Sequence, residues 1–375
     1  MIGFLLYVFT MAYVPHYFMV IVGVFLLVYN QSYFISLYKN NDFTFLFIFF
    51  FIFICTVNIL FHANQGVKLP YVVLNLVTLA IAYSLKLKDI RVFVYLVVFE
   101  VIIGFFELSL GVSTILPVAE KKYFLEGSMW YNTRVTGLTL SEASYAMKIF
   151  IGLVLFERFK NIFKYQHTIR CALLLGVFLS FHRTSIVAAI ILEGLFIFSF
   201  ILNKINMSEK WKVKRNNLYL SVMIIVLIIF LIILSLNNIQ YLYNMLVFQF
   251  TRGSGGVELS GRSEIWTFFL LFISDNFIFG NGSVKLYAEG GMHAHNSFLQ
   301  LLANNGIVLS FLYIAWLGIN INKNNFIYVI SILIFSTAQY GVFWGTSVMD
   351  ITLFLLLFTP LGNSNVNASN KTIYY

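Results

Sequence analysis

The sequence predicts an all-α fold, a polytopic integral membrane bundle of about twelve transmembrane helices with a long extracytoplasmic loop. Of the 375 residues, 60% are hydrophobic and only 10% are charged, which is more apolar than a soluble domain of ordinary composition. The apolar residues form continuous runs rather than alternating with polar ones, as strands of a barrel would. Because lipid offers an open backbone no hydrogen-bond partner, such runs are expected to be helices.

Twelve apolar runs approach the roughly 20 residues that a helix needs to cross a bilayer. The predicted spans are 1–14, 17–37, 43–61, 69–86, 92–111, 142–157, 168–182, 184–202, 218–236, 298–318, 326–343 and 346–362. We therefore expect the whole chain, residues 1–375, to be a single membrane domain. The first run has no charged leading segment and no small-residue cleavage site, so we expect a retained span rather than a removable signal peptide.

The positions of lysine and arginine predict the orientation, because basic connections stay on the cytoplasmic side. Residues 157–170 and 203–217 are the most basic connections, and both lie inside only if two spans separate them. This arrangement places both termini inside and the turn at His182 and Arg183 outside. It also accounts for the net charge of +9, which therefore does not indicate nucleic-acid binding.

Two long connections are then extracytoplasmic, and the one spanning residues 237–297 is rich in glycine and ionisable groups. Its Arg252 and Arg262 carry guanidinium groups, which match phosphate oxygens. Glycine permits close backbone approach, so we expect this loop to fold over a site at the outer membrane boundary. The alternative is an irregular connection that binds no ligand.

His295 directly precedes the apolar run of the tenth predicted span. Its imidazole is suited to accept a proton near neutral pH, although a lone histidine is also a common helix cap or interface residue. The separation from Gly306 is 11 residues (306 minus 295), close to three helical turns. We therefore expect both residues on one helix face, with Gly306 admitting a neighbouring helix.

Charged residues also interrupt apolar runs at Arg183, Glu100, Glu107 and Glu193. Arginine near membrane depth usually marks a function or a partner, although snorkelling to the headgroups also explains one at a span end. The three glutamates are residues that a proton-coupled transporter would use, and the sequence shows no periodic partner for them. No Walker loop and no spacing typical of metal ligands occurs, so neither a metal nor a cofactor is predicted.

Several segments, taken together, resemble bacterial O-antigen polymerases and O-antigen ligases. GRSEIW (261–266), FGNGS (279–283) and HAHNSFLQLLANNGIVLSFL (293–312) are similar to the C-terminal signature of that superfamily, including an arginine followed four residues later by a tryptophan. The turn FHRTS is similar to the family's Ser-Arg-Thr segment, with His182 in place of serine. RVTGLTLSEASY (134–145) resembles a polymerase segment in which arginine precedes Glu-Pro-Ser-Tyr, here Glu-Ala-Ser-Tyr.

The resemblance implies a glycosyltransferase that uses no nucleotide sugar and acts at the periplasmic face of the bacterial inner membrane. It would take a glycan from undecaprenyl diphosphate and pass it to an acceptor hydroxyl. By this resemblance His295 is the expected general base. The expected diphosphate ligands are Arg183, Arg262 and Arg252, and the accessory candidates are Arg134, Glu142, His293 and Asn296.

The sequence leaves three functions open. A polymerase, whose acceptor is another lipid-linked repeat unit, is favoured by the segment around Glu142 and by residue usage rich in Phe, Ile, Asn and Tyr. A ligase would use lipid A-core as acceptor. A lipid-linked oligosaccharide flippase or other transporter usually shows two similar halves and would not need a histidine at the end of a long outer loop. The expected partners are the lipid-linked oligosaccharide, membrane lipid and a chain-length regulator.

Overall fold

The structure is a computed structural model. It describes residues 2–11, 16–30, 52–53, 56–57, 60, 71–110, 135–139, 141–205, 262–339, 341–343 and 345–359. These residues are helical and contain no β-strand, which confirms the all-α prediction. They belong to two compact units, residues 1–189 together with 261–375, and residues 190–260. The second unit is described only over 190–205, which form a single stretch of helix.

Eleven α-helices have described bounds. They are α1 (Ile2–Thr10), α2 (His16–Tyr29), α3 (Tyr71–Ser84), α4 (Leu87–Leu110), α5 (Glu142–Arg158), α6 (Gln166–Leu179), α7 (Arg183–Ile205), α8 (Arg262–Asp275), α9 (Ser297–Ile319), α10 (Phe326–Thr337) and α11 (Val348–Phe358). All but α8 overlap a predicted span. α8 lies within the connection that was expected to be a loop, and the predicted spans 43–61 and 218–236 lie largely or wholly outside the described residues.

The lengths and compositions of the described helices do not fix the number of membrane spans. Among the described helices, α9 is the one that is both long and apolar enough to cross a membrane, and five further apolar helices are shorter, at 10–17 residues. A total of twelve spans therefore remains a prediction.

Seven helix termini of the larger unit lie in four segments that meet at what we call the basic end, residues 84–91, 157–166, 319–326 and 356–359. Hydrogen bonds join these segments. The Asn325 side chain donates to the carbonyl of Leu356 (3.2 Å), and the hydroxyl of Tyr328 donates to the carbonyl of Glu157 (3.3 Å). The segments predicted to be cytoplasmic at 86–91, 157–170 and Lys323 lie here.

The opposite end, which we call the site end, comprises the described residues 135–139, 141–142, 180–183, 293–297, 338–339, 341–343 and 345–347. Ser297 begins α9 and its hydroxyl donates to the carbonyl of Gln339, just beyond α10 (3.2 Å). The same hydroxyl accepts from the amides of Gly341 (3.1 Å) and Val342 (3.3 Å). The residues predicted to be extracytoplasmic at His182 and Arg183 share this end with α9's first turn, so the two predicted sides are separated in the structure.

A buried ion pair joins α4 to α5. The ammonium of Lys148 contacts the carboxylate of Glu100, and both side chains are fully buried. The ammonium also lies 4.5 Å from the centre of the Tyr7 ring on α1. A charge among packed helices requires such a partner, because neither lipid nor apolar side chains solvate it. The pairing is between helices, which explains why no periodic partner for Glu100 is visible in the sequence.

The segment 135–139 is fixed by carboxylates of α4. Glu107 accepts from the amides of Thr136 (3.2 Å) and Gly137 (2.8 Å), and Glu100 accepts from the amide of Leu138 (3.0 Å). Gly137 has a φ of +53°, a conformation that glycine adopts at little cost. Both carboxylates therefore hold the backbone that leads into α5.

We expect introduced cysteines at the basic end and at the site end to be accessible to a labelling reagent from opposite sides of the membrane. In a background lacking Cys55 and Cys171, a cysteine at exposed Lys164 or Lys323 should react with membrane-impermeant maleimide from one side of the membrane only. A cysteine at exposed Glu289 should react from the opposite side, since its neighbouring segments belong to the site end. Labelling of all three positions from the same side of intact cells would contradict this separation.

Candidate functional site

α8 and α9 fix the backbone between the two histidines. Trp266 lies one turn beyond Arg262 on the same face of α8. Its indole N–H donates to the carbonyl of Ala294 (2.7 Å), and the amide of Ala294 donates to the side chain of Gln300 on α9 (2.9 Å). Both polar backbone groups of this buried residue are thus satisfied. The positions of the flanking His293 and His295 therefore depend on two separate helices.

An apolar cluster lies beneath this arrangement. Its buried members are Ile265 and Phe269 of α8, Ala294, and Ala303 of α9. Five partly buried side chains pack against them: Phe272, Ile273, Leu286, Ala288 and Leu299. Burial of this face holds α8 against α9, so the Arg-x-x-x-Trp segment and the histidine segment form one structural unit.

α9 is interrupted at Gly306, where φ is 68° and ψ is 179°. A break in an apolar helix leaves backbone groups that need new partners. A turn supplies them: the amide of Asn281 donates to the carbonyl of Ala303 (2.8 Å) and the amide of Ser283 to that of Asn304 (2.8 Å). The amide following the break, that of Ile307, donates in turn to the carbonyl of Phe277 (2.8 Å).

Two glycines permit this contact. A methyl group on Gly306 would overlap the backbone of Ile278, and one on Gly280, where φ is +60°, would overlap the backbone of Gly306. The expectation of a shared helix face is wrong: α9 begins at Ser297, and His295 precedes it with a φ of 50°. The neighbour that Gly306 admits is the turn formed by residues 277–283, not a helix.

The buried side-chain amide groups of Gln300 and Asn304 on α9 bind the segment that follows this turn. The amide of Leu286 donates to the side-chain oxygen of Asn304 (2.9 Å), and the side chain of Gln300 donates to the carbonyl of Leu286 (2.8 Å). The same Gln300 nitrogen also donates to Asn304 (2.9 Å). Residues 284–287, including Lys285, are therefore fixed by the helix that carries the histidine segment at its start.

These contacts assemble four basic side chains, which we call the cationic cluster: Arg262, Lys285, His293 and His295. The two imidazole rings lie 4.3 Å apart, centre to centre. Burial, together with the positive charges of His295, Lys285 and Arg262, lowers the pKa of His293 to about 3. Burial, and then the charge of Arg262, also lowers the pKa of His295 below its ordinary value. Both imidazoles are therefore neutral at pH 7.

His295 has the features of a proton acceptor. Its ring is half-buried, and its Nδ1 has no hydrogen-bond partner in the part of the chain that the structure describes. Burial and the charge of Arg262 are the two causes that lower its pKa. A neutral imidazole held by a constrained backbone can take a proton from a hydroxyl without first losing one.

Arg262 is oriented by the chain beyond α10. Its Nη1 donates to the carbonyl of Ala338 (2.5 Å), and its Nη2 donates to the side chain of Gln339 at a longer 3.4 Å. Arg183 begins α7 near the same place: the ring of the preceding His182 lies 6.3 Å from that of Phe335 on α10. The C-terminal end of α10 therefore connects the two arginine segments.

The remaining predicted residues differ in their surroundings. Asn296 caps α9, because its side chain accepts from the amides of Phe298 (2.9 Å) and Leu299 (3.1 Å). Glu142 is half-buried at the first position of α5. Arg134 and Arg252 lie outside the described residues.

The sequence reasoning missed Lys285, Gln300 and Asn304. Two amide side chains four residues apart within an apolar run are a detectable signal, because polar groups in a span usually face the interior of the bundle. No sequence signal marks Lys285, whose place in the cluster depends on the turn against Gly306.

Comparison with known proteins confirms the resemblance. Residues 171–314, under half of the chain, match the family model described as O-antigen ligase. The matched region contains α8, the histidine segment and the break in α9, but neither Arg134 nor Glu142. This family is membrane-embedded and has a glycosyltransferase-like ligase or polymerase character. Neither a curated protein nor a solved structure matches the chain.

Substitution of Gly306 tests the importance of the break. Gly306→Ala should lower the free energy of unfolding by at least the roughly 1–3 kcal/mol that strained backbone costs, because the new methyl group also overlaps Ile278. The readout is the melting temperature of the protein in detergent. Gly318→Ala is the matched control, since the same helix leaves open space there. Equal melting temperatures for the two variants would contradict the assigned geometry.

Proposed function

We propose that the chain is an O-antigen or surface-polysaccharide polymerase of the bacterial inner membrane. It transfers a glycan linked to undecaprenyl diphosphate onto a hydroxyl of another lipid-linked repeat unit on the periplasmic side. The observation that carries this proposal is the convergence of Arg262 and His295 within the region that matches the O-antigen ligase family. One supplies a fixed positive charge and the other a neutral imidazole, the two groups that this transfer needs.

The reaction assigns a separate task to each group. The acceptor oxygen attacks the anomeric carbon of the donor while its proton passes to the imidazole of His295. The bond from that carbon to the phosphate oxygen breaks, and its electron pair leaves with the diphosphate. Arg262 offsets the charge that develops there, and its contacts with Ala338 and Gln339 hold the guanidinium in place.

Further residues complete the proposal. Arg183 and Arg252 would add contacts to the diphosphate, while Arg134 and Glu142 would lie on the acceptor side. The cations perform the role that a metal ion has in other transferases of this kind, so turnover should survive a chelator. A chain-length regulator is the proposed protein partner.

A ligase is the second candidate, because the matching family model carries that description. The two functions share the donor and differ in the acceptor, which is another lipid-linked repeat unit for the polymerase and lipid A-core for the ligase. A transporter is less favoured. Glu100 is paired with Lys148, and Glu107 accepts hydrogen bonds from the 136–137 backbone, so both carboxylates have structural tasks.

We expect His295→Ala to reduce glycan transfer by about two to four orders of magnitude, because the variant lacks the proton acceptor. Transfer is measured with purified protein in nanodiscs, synthetic donor, a chelator, and either repeat-unit or lipid A-core acceptor. His167→Ala, an exposed histidine at the basic end, is the matched control. Wild-type transfer by His295→Ala would remove the histidine from the mechanism, and transfer to lipid A-core alone would favour the ligase.

The pH dependence of turnover should report on the same histidine. Only the neutral imidazole accepts a proton, so activity should be lost as pH falls through the pKa of His295, which lies below its ordinary value of 6.5. The test is a profile of kcat/KM against pH for the wild-type protein. An acid limb with an apparent pKa above 6.5 would contradict the environment assigned to this ring.

A further inference from the structure

Lys285 is a member of the cationic cluster to which the proposed reaction assigns no task. The backbone on both sides of it is fixed to α9, since the amide of Ser283 donates to the carbonyl of Asn304 (2.8 Å) and that of Leu286 to its side chain (2.9 Å). The lysine therefore does not sit on an unconstrained loop. Its position follows from the turn against Gly306.

The side chain of Lys285 is partly enclosed by protein and lies beside an aromatic ring. It is half-buried, and its ammonium lies 5.0 Å from the centre of the Tyr287 ring. The neighbouring Leu286 packs against the cluster that contains Ile265 and Ala294, and Gln300 binds both Leu286 and Ala294. This geometry places Lys285 beside the histidine segment, where its charge helps to lower the pKa of His293. Lys285 thus contributes to the same electrostatic field as Arg262, although the two come from different elements.

The charges in the cluster favour a particular class of ligand. With both imidazoles neutral, the positive charges come from Arg262 and, below a pH of about 7, from Lys285. A sugar linked to a lipid through diphosphate is a diphosphate diester, and each of its phosphates carries one negative charge. A compact ammonium binds phosphate as a point charge, whereas a guanidinium binds it as a fork.

We propose that Lys285 binds the diphosphate of the lipid-linked donor together with Arg262, so that each phosphate meets one cation. This inference rests on the proposed function and names a donor-binding residue that the sequence did not indicate.

Titration distinguishes this role from a purely structural one. Burial lowers the pKa of Lys285 to about 7, so its charge is present below that pH and is lost as pH rises through it. Of the groups around it, Arg262 stays charged, His293 is neutral, the pKa of His295 is lowered from its ordinary 6.5, and burial raises the pKa of Tyr287 from its ordinary 10. Lys285 is therefore the group expected to lose a positive charge as pH rises above about 7. Arginine at position 285 would remain charged throughout.

The experiment measures binding of a short-chain polyprenyl diphosphate-linked sugar to the full-length protein in nanodiscs, without acceptor. Wild-type affinity should fall about tenfold between pH 6.5 and 8.5, whereas that of Lys285→Arg should stay constant, since loss of a charge-assisted contact weakens binding by about that factor. Lys285→Gln should bind about tenfold more weakly at pH 6.5 and show no further fall. Lys164→Gln, at the basic end, should behave as wild type.

Several outcomes would overturn the proposal. Wild-type affinity in Lys285→Gln at pH 6.5, or an unchanged pH dependence in Lys285→Arg, would show that the ammonium does not meet the donor. Equal competition by anionic phospholipid would assign the cation to a headgroup. Failure of the wild-type protein to bind the probe would contradict the proposed function itself.

Discussion

The interruption of α9 at Gly306 is the constraint on which the rest of the site depends. An apolar helix that breaks must find new partners for its freed amides and carbonyls, because its surroundings offer no water. The turn at residues 277–283 provides them, and only glycine at 280 and 306 lets the two backbones approach. The contact between this turn and α9 constrains the chain on both sides of the turn. α8, which precedes the turn, packs against α9, and the segment with Lys285, which follows it, is hydrogen-bonded to α9.

Polar side chains of α9 convert this backbone contact into a defined site. Gln300 and Asn304 bind residues 286 and 294, while Trp266 of α8 binds the other side of Ala294. Each histidine next to Ala294 therefore has little backbone freedom, and His295 is kept at a positive φ that a regular helix would not contain. Pre-organisation of this kind suits general-base catalysis, because a small displacement of the proton-accepting group lowers the reaction rate. The short motifs that are separate in sequence are thus parts of one hydrogen-bonded unit.

Patterns that depend on composition and local chemistry were predictable from the sequence, whereas patterns created by tertiary contact were not. Apolar runs predicted ten of the eleven helices, and the basic connections predicted which helix ends lie together. Helical periodicity failed between His295 and Gly306, because both residues have positive φ and interrupt it. The pairing of Glu100 with Lys148 joins two helices and leaves no periodic trace. The pKa of Lys285 reflects burial beside a turn whose location depends on the break in α9.

We propose that a lipid-linked diphosphate binds at the cationic cluster, with its sugar carbon near His295. The most direct test is a cryo-electron microscopy map of the full-length protein in nanodiscs with a non-transferable donor analogue, in which carbon replaces the oxygen between sugar and phosphate. We predict density for the diphosphate between Arg262 and Lys285. Density for the diphosphate at the basic end, next to Lys160 and Lys164, would contradict the claim.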